Sequence, residues 1–373
     1  MKPAILFLFF SLLAAGVTAA NETVISEDVS SFRLKREVLL ELAPGPGNPR
    51  NSEGDFIRLK DGRILFVYSQ YCGNSAGDHA QANLAQIVSS DEGKSWSQPE
   101  IIVRMEGGMN VMSVSLLRLR DGRIALFYLR KFSMEDCRTW VRFSADEGQS
   151  WSDAVCCMKD ADYFVVNNAR IVQLRNGFIL IPAALHHFQA GRNDFSGEAL
   201  CFLSRDGGRT FQRGELAAKP KGLVFQEPGV VELEDGSLFM HVRTTSGTQF
   251  GMKSSDFGQT WGPAEPTRFV SPCSPMLIRP IPGTHRFLAV WNENPKGRNP
   301  LTLAVLDSEL KFLWKETLDQ SVGEPPQWFC YPAILALNER EFLIAYCAGI
   351  MPNVGLEKTR IVKVTLAPEL PRK

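Results

Sequence analysis

One eight-residue phrase occurs four times in this chain, and it constrains the fold more than any other feature of the sequence. The copies are "SSDEGKSW" (89–96), "SADEGQSW" (144–151), "SRDGGRTF" (204–211) and "SSDFGQTW" (254–261). Its Asp and Ser side chains suit hydrogen bonds to turn backbone, its glycine permits positive φ, and its aromatic residue covers apolar area. Because a repeated phrase implies repeated structure, we expect a folding device and not four catalytic centres.

A second phrase alternates with the first and places Asp-Gly or Asn-Gly between two apolar runs. The clear copies are "LKDGRILFVY" (59–68), "LRDGRIALFY" (119–128), "LRNGFILIPA" (174–183) and "LEDGSLFMHV" (233–242), and weaker ones lie at 281–291 and 337–346. Such dipeptides favour tight hairpins, since their residues tolerate positive φ. A repeat of roughly fifty residues that contains several short strands is typical of a β-propeller.

The predicted fold is therefore all-β, a six-bladed β-propeller whose blades are four-stranded and antiparallel. The predicted blades span about 50–105, 106–158, 159–218, 219–268, 269–318 and 319–367. The segment 36–42 lies before the first blade, and we expect it to pair with the last blade near 360–366. That pairing would close the ring and cover a sheet edge.

The first twenty residues differ in composition from the rest of the chain. Lys2 precedes an apolar run of about fourteen residues, which is short for a membrane span, and small residues follow as far as Ala20. This pattern predicts a cleaved signal peptide over 1–20 and a secreted or periplasmic protein, with an uncleaved anchor as the alternative. The remaining 21–373 would form one propeller domain without further membrane insertion.

Charge and cysteine content limit the partners and the chemistry. Lys+Arg and Asp+Glu both number 41, so a bulk electrostatic partner such as nucleic acid is not expected. Export permits disulfides, but the pairing of the eight cysteines cannot be read from the sequence. The spacing of Cys and His predicts no metal site, and no organic cofactor is expected.

The eight-residue phrases match what the sialidase family calls Asp-boxes, and the chain as a whole resembles a sialidase-type six-bladed propeller. The resemblance implies a substrate sugar that carries a carboxylate on its anomeric carbon. A cluster of arginines would grip that carboxylate, since guanidinium forks pair with it bidentately. An acid would protonate the leaving oxygen, and a Tyr with a Glu base would attack, because a carboxylate nucleophile would be repelled.

Four residues of the second half match the family's motifs. In "QEPGVVELEDGSLFMHVRTTSG" (226–247), Glu227 heads a strand where the base is expected, and Arg243 ends the next strand as a clamp arginine. In "WNENPKGRNPLTLAVLD", Arg298 stands for another clamp arginine. In "QWFCYPAILALNEREFLIAY", Tyr331 opens an inner strand, where the resemblance places the nucleophile.

The first blade matches the family less well. In "GNPRNSEGDFIRLKDG", Arg50 takes the place of the first clamp arginine, but the family's Ile-Pro is absent and Glu53 and Asp55 intrude. These two acids are either pocket carboxylates that select the ligand or caps of a strand. In the loop after the second strand, Asp78 resembles the family's acid/base.

A polar segment on the third blade supplies two further candidates. Asn168 lies in "NNARIVQL", and His186 lies in "PAALHHFQAGRND". Both are predicted to line the substrate pocket, and an ordinary surface loop is the alternative.

Together these residues predict an exported, exo-acting, retaining glycosidase of sialidase type that releases terminal sialic acid. Asp78, Glu227 and Tyr331 would be catalytic, and Arg50, Arg243 and Arg298 would bind the substrate carboxylate. The expected partners are sialylated or other acidic glycans. Two alternatives stay open: an enzyme that acts on another acidic sugar, such as a ketodeoxy acid or a uronate, and a glycan-binding propeller without activity.

Overall fold

A computed structural model describes residues 32–106, 108–189, 192–351 and 355–368, and the regular structure in these ranges is entirely β. The predicted signal segment 1–20 lies outside the described residues. Within them, no helix has the length and apolar character that a membrane crossing requires. The strands are β1 Phe32–Leu42, β2 Asn51–Arg58, β3 Ile64–Tyr71, β4 Ala82–Ser89, β5 Glu100–Val103, β6 Asn110–Arg118, β7 Ile124–Lys131, β8 Cys137–Ser144, β9 Val155–Cys156, β10 Tyr163–Val165, β11 Val172–Gln173, β12 Ile179–Gln189, β13 Arg192–Ser204, β14 Gln212–Arg213, β15 Gln226–Glu232, β16 Leu238–Arg243, β17 Thr248–Ser254, β18 Glu265–Val270, β19 Leu277–Pro280, β20 Phe287–Trp291, β21 Leu301–Leu306, β22 Phe312–Asp319, β23 Gln327–Ala336, β24 Glu341–Ile350 and β25 Thr359–Pro368.

Four of the sheets among these strands are four-stranded. Three run in chain order, as β2–β5, β15–β18 and β19–β22, and the fourth has the order β1-β25-β24-β23. Neighbouring strands in them are antiparallel, as hairpin connections require. The predicted blades two and three correspond to one larger sheet, in which a single parallel bridge between Tyr163 and Cys137 joins β10 to β8.

The first described strand completes the sheet formed by the last three. In the pairing of β1 with β25, Val38 lies opposite Val362 and Leu34 lies opposite Leu366. Trp314 of β22 donates its indole N–H to the carbonyl of Phe32 at 3.0 Å, which ties β1 to the neighbouring sheet.

Alternate residues of β3 pack into two different hydrophobic cores. In β3, Phe66 and Tyr68 pack into the core shared with β23–β25, while Leu65 and Val67 pack into the core shared with β6 and β7. Successive side chains of a strand point to opposite faces, so this sheet is covered on both sides. The near-continuous apolar sequence of β3 follows from that double burial.

The repeated phrase forms a hydrogen-bonded turn at each of its four positions. In the first copy, Asp91 Oδ1 accepts the Ser95 N–H at 2.8 Å, and Asp91 Oδ2 accepts the Ser95 hydroxyl at 2.6 Å. The hydroxyl of Ser89 accepts the N–H of Gly93 at 2.8 Å, and Trp96 donates its indole N–H to the carbonyl of Gly93. These four side chains are used within the turn, which fits a structural role.

Candidate active site

Four strands carry the same backbone irregularity, and together these irregularities build the site. β2, β6, β15 and β23 each shift register against their partner strand, so each has a β-bulge. A non-glycine residue with positive φ lies within each bulge: Glu53 (φ 54°), Ser113 (φ 59°), Glu227 (φ 42°) and Tyr331 (φ 55°). Bulges redirect side chains, and non-glycine residues with positive φ are enriched at active sites. All four residues line one cavity.

That cavity has a volume of about 480 Å³, a size suited to a sugar-sized ligand. Of the eight sequence-predicted site residues, six line it. They are Asp78, His186, Glu227, Arg243, Arg298 and Tyr331.

At the centre of the site, the phenol of Tyr331 contacts the carboxylate of Glu227, which in turn contacts the guanidinium of Arg243. The hydroxyl of Tyr331 donates to Glu227 Oε1 at 3.2 Å. Arg243 Nη1 lies 2.6 Å from the other carboxylate oxygen, Oε2, with both side chains about nine-tenths buried. Burial and the charge of Glu227 raise the pKa of Tyr331 well above its ordinary value, and the nearby Arg243 and Arg298 offset part of that rise. The resting tyrosine is therefore a neutral phenol.

Arg298 also lies close to Tyr331. Its guanidinium carbon is 5.0 Å from the centre of the Trp328 ring and 5.8 Å from that of Tyr331. It donates to Cys330 Sγ at 3.4 Å and to the carbonyl of Cys273 at 3.3 Å. Among the described residues, no carboxylate lies within salt-bridge distance of Arg298, which leaves its charge for a ligand.

Asp78 enters the cavity from the loop between β3 and β4. Its side chain is 57% exposed, and Arg50 Nη1 lies 2.6 Å from its Oδ1. Burial of part of the residue raises the pKa of Asp78, but the Arg50 charge and hydrogen bond, with Lys131 and His79, outweigh it, so the pKa is lowered. The Lys131 ammonium and the Asn110 amide donate to the Asp78 carbonyl at 2.8 and 2.9 Å, which fixes the loop.

Two predicted ligand-binding residues do not line the cavity. Arg50 is fully buried and engaged by protein groups. Asn168 is also buried, and its amide donates to the carbonyls of Gly54 at 2.9 Å and Tyr331 at 3.3 Å. Asn168 thus ties one bulge to another, since its segment passes through the interior and not over the surface, and its role in substrate binding stays a prediction. Its neighbour Asn167 lines the cavity instead.

Other lining residues were missed by sequence reasoning. Lys131 is buried, lines the cavity, and lies 5.8 Å from the Tyr163 ring. Ser113 lines it through its bulge. Lys131 ends β7, the strand after a predicted hairpin, as Arg243 ends β16. That shared position at a strand end is the signal that would have found it.

No group of three or more His, Cys, Asp or Glu residues within the described ranges is arranged to hold a metal ion. All eight cysteines are free thiols, and Cys330 lies directly opposite Cys347 in the pairing of β23 with β24.

The comparisons with known proteins agree with this description. The family model for the BNR repeat-like domain matches residues 108–344. A sialidase of Clostridium perfringens is 27% identical over an alignment of 233 positions, which covers 56% of this chain and 59% of that protein. The chain therefore spans about three fifths of the length of this relative. A sialidase of Paraclostridium sordellii is 25% identical, with 56% of each chain covered.

Solved structures share the fold at lower identity. A protein of unknown function from Dyadobacter fermentans has a TM-score of 0.72 at 18% identity, with 89% of this chain and 99% of that chain covered. A leech intramolecular trans-sialidase, solved with 2,7-anhydro-Neu5Ac, has a TM-score of 0.69 at 15% identity, with 89% and 70% covered. The fold is that of these solved structures. The chain belongs to the BNR repeat-like domain family and is similar to sialidases over part of its length.

Proposed function

We propose that the described sheets are the blades of a six-bladed propeller, and that the cavity lies on its axis. The sheet β2–β5 is covered on both faces, as a blade between two neighbours would be. The pairing of β1 with β25 supports closure between the two ends of the chain. In this arrangement the bulged strands β2, β6, β15 and β23 are the innermost strands of their blades.

On this scaffold, the protein is an exported, exo-acting, retaining glycosidase of sialidase type that releases terminal sialic acid from glycoconjugates. The observation that carries the proposal is the bond of 3.2 Å between the hydroxyl of Tyr331 and Glu227 Oε1. A nucleophile and its base within hydrogen-bond reach are what covalent catalysis requires. Export rests on the sequence of residues 1–20, and an exported protein with a new N-terminus near Asn21, measured by mass spectrometry, is the expected result.

The clamp explains why a phenol serves as nucleophile. Arg243 and Arg298 lie near Tyr331 and would hold the substrate carboxylate beside the anomeric carbon. An anionic nucleophile would be repelled at that carbon, whereas the neutral phenol of Tyr331 approaches without that cost.

In the first step, the phenolic oxygen of Tyr331 bonds to the anomeric carbon while the bond from that carbon to the glycosidic oxygen breaks. Glu227 takes the phenolic proton, and Asp78 gives its proton to the leaving oxygen. In the second step, water attacks the anomeric carbon and Asp78 takes its proton. The oxygen of Tyr331 leaves and recovers its proton from Glu227. Two displacements give retention of configuration.

The low pKa of Asp78 sets the expected pH dependence. Asp78 must be protonated in the first step, yet its partnership with Arg50 favours the carboxylate. Raising the pH through the pKa of Asp78 removes the acid form, so kcat/KM for substrates with poor leaving groups falls as pH rises. Substrates whose leaving group needs no proton should lose this dependence.

A second candidate keeps the mechanism and changes the substrate to another acidic sugar. The observation that favours it is the enclosure of Arg50, which leaves two arginines in the cavity in place of the three expected by resemblance. A glycan-binding protein without activity would need neither Asp78 nor the pair of Tyr331 and Glu227.

The test is hydrolysis of a panel of fluorogenic α-glycosides of sialic acid, ketodeoxy acids and uronic acids. We expect turnover of at least one acidic glycoside, and a fall in kcat of at least about 10³-fold in Tyr331→Phe, since the nucleophile is gone. The matched control is Tyr346→Phe. Tyr346 also donates to a buried carboxylate, Asp319 at 2.7 Å, but it does not line the cavity.

The two variants lose the same kind of hydrogen bond, so they should lose comparable stability. Only Tyr331→Phe should lose turnover. Equal activities in the two variants would rule out Tyr331 as nucleophile, and binding of an acidic sugar without any turnover would favour the non-catalytic alternative.

A further inference from the structure

Glu53 is a buried carboxylate in the cavity that the proposed mechanism does not use. Glu53 lies at the bulge of β2, as Glu227 lies at the bulge of β15 and Tyr331 at that of β23. All three residues have positive φ. The Glu53 side chain is only 4% exposed. A strained backbone at a charged, buried residue is costly to maintain, and such costs collect where a side chain has a function.

One oxygen of Glu53 is fully used by the protein. Arg50 Nη2 lies 2.9 Å from Oε2, and the hydroxyl of Ser52 lies 3.1 Å from the same atom. The other oxygen, Oε1, accepts only a long bond of 3.4 Å from the Ser113 hydroxyl among the described residues. A carboxylate oxygen accepts up to two hydrogen bonds, so Oε1 has capacity for a ligand.

Arg50, in turn, is fully buried, and four of its five side-chain N–H groups donate to protein groups. Its Nε donates to the Ser52 hydroxyl at 2.8 Å, its Nη1 to Asp78 and to the Ala76 carbonyl, and its Nη2 to Glu53. Its guanidinium carbon lies 4.4 Å from the centre of the Tyr71 ring. Arg50 is therefore the centre of an ion cluster and holds the carboxylates of Glu53 and Asp78 at the cavity.

Two acids and two arginines of the cavity lining come from different elements. Glu53 and Asp78 come from β2 and the loop between β3 and β4, while Arg243 and Arg298 come from β16 and the segment before β21. Each pair has a charge of the opposite sign nearby, because Lys131 lies beside Asp78 and Glu227 lies beside Arg243. An anionic group of a ligand is attracted to the arginines and repelled by the two acids. Ring hydroxyls that face the acids meet a hydrogen-bond acceptor.

We propose that Glu53 is a specificity-determining residue, whose Oε1 accepts a hydrogen bond from a hydroxyl of the bound sugar and excludes a second anionic group from that position. The substrate class is then a sugar with a single anionic group, held by Arg243 and Arg298, and a free hydroxyl directed at Glu53. The inference rests on the proposed function, because the ligand is taken to be an acidic sugar.

The test compares wild type with Glu53→Ala and the near-isosteric Glu53→Gln, on the glycoside that wild type hydrolyses fastest and on its complete monodeoxy series. Hydrogen bonds to a charged partner correspond to about 10- to 100-fold in kcat/KM. We expect kcat/KM of Glu53→Ala to be about 10- to 100-fold below that of wild type on the parent glycoside and on every deoxy analogue except one. For that analogue, which lacks the recognised hydroxyl, wild type and variant should be equal.

A second arm tests charge exclusion. The O-sulfated analogue at the recognised hydroxyl should be a poor ligand for wild type and should gain at least about tenfold in affinity in Glu53→Gln, which lacks the negative charge. The matched control is Glu147→Gln. Glu147 also has positive φ (62°) and lies 2.6 Å from an arginine, Arg118, but it is outside the cavity lining. This control should change neither kcat/KM across the deoxy series nor the affinity for the O-sulfated analogue.

Equal losses on every member of the series would overturn the proposal, since Glu53 would then act only through Arg50 and Asp78. Calorimetric titration of the free parent acid and its deoxy forms gives the same comparison without catalysis. If wild type hydrolyses none of the glycosides, the proposed function fails, and calorimetry still decides the role of Glu53. If wild type binds none of the sugars either, both are overturned.

Discussion

Replacing Arg243 by methionine should destabilise the protein through the carboxylate that it leaves behind. In the structure, Arg243 Nη1 lies 2.6 Å from Glu227 Oε2, and the side chains are 12% and 10% exposed. In Arg243→Met, Glu227 keeps the Tyr331 hydroxyl as a donor but loses its only ion pair among the described residues. A charge that stays buried without its partner is costly, because little solvent reaches it.

The magnitude follows from burial and size. Removal of one partner of a buried ion pair costs about 3–5 kcal/mol. Unfolding entropy of about 2.1 cal/mol/K per residue, over 373 residues, is about 0.8 kcal/mol/K. The melting temperature of Arg243→Met should therefore fall by roughly 4–6 °C.

Calorimetric melting of Arg243→Met, Glu227→Gln and the double variant measures the effect and its cause. The double variant buries a neutral amide in place of the unpaired carboxylate, so it should be more stable than Arg243→Met and recover most of the stability which that variant lost. The difference from additivity is the coupling energy between the two residues. Arg118→Met is the control, since the pair of Arg118 and Glu147 has the same distance of 2.6 Å but is more exposed. A double variant no more stable than Arg243→Met would refute the reasoning.

Three further variants test other parts of the interior. Burial raises the pKa of Asp55 to about 6, above its unfolded value, so wild type should lose roughly 2 kcal/mol of stability as pH rises from 4 to 6.5. Asp55→Asn should show a flatter dependence in denaturant titrations across that range, and an unchanged slope would contradict this. Arg170 is 1% exposed, and its three guanidinium nitrogens have no hydrogen-bond partner among the described residues. Arg170→Met should match or exceed wild-type stability by up to about 4 kcal/mol, whereas a lower melting temperature would reveal an unseen partner. In Gly229→Ala, the new Cβ would lie 2.5 Å from the His241 ring, so we expect a loss of about 1–3 kcal/mol in chemical denaturation, and a neutral result would mean that the ring moves freely.

Local patterns in the sequence were sufficient to predict much of the β structure. The Asp-Gly pair at 61–62 forms a turn between β2 and β3, and the phrase around Asp91 forms its predicted hydrogen bonds within five residues. Both depend on interactions between near neighbours in the chain, which a sequence displays directly. The resemblance added the order of Glu227 and Tyr331, and the structure places their side chains 3.2 Å apart.

The parts that escaped prediction depend on contacts between distant segments. The bulge that turns Glu53 into the cavity exists only through the register of β2 against β3. The engagement of Arg50 by Asp78 joins residues 28 positions apart, and the bond from Asn168 to Tyr331 spans 163. A lone arginine or asparagine in a sequence carries no signal of such a partner, so Arg50 resembled a free clamp residue and Asn168 resembled a loop residue.

The pairing of β1 with β25 has a consequence for synthesis of the chain. From Leu42 to Thr359, 359 − 42 = 317 positions must be translated before the partner strand begins to appear. At about 5–20 residues per second, the ribosome needs roughly 15–65 s for that distance. Throughout this interval β1 has an unsatisfied backbone edge, and for most of it β23 and β24 do not yet exist. The earliest of the described strands to be made is thus among the last to pair, so the nascent protein depends on whatever keeps that edge from pairing with another chain.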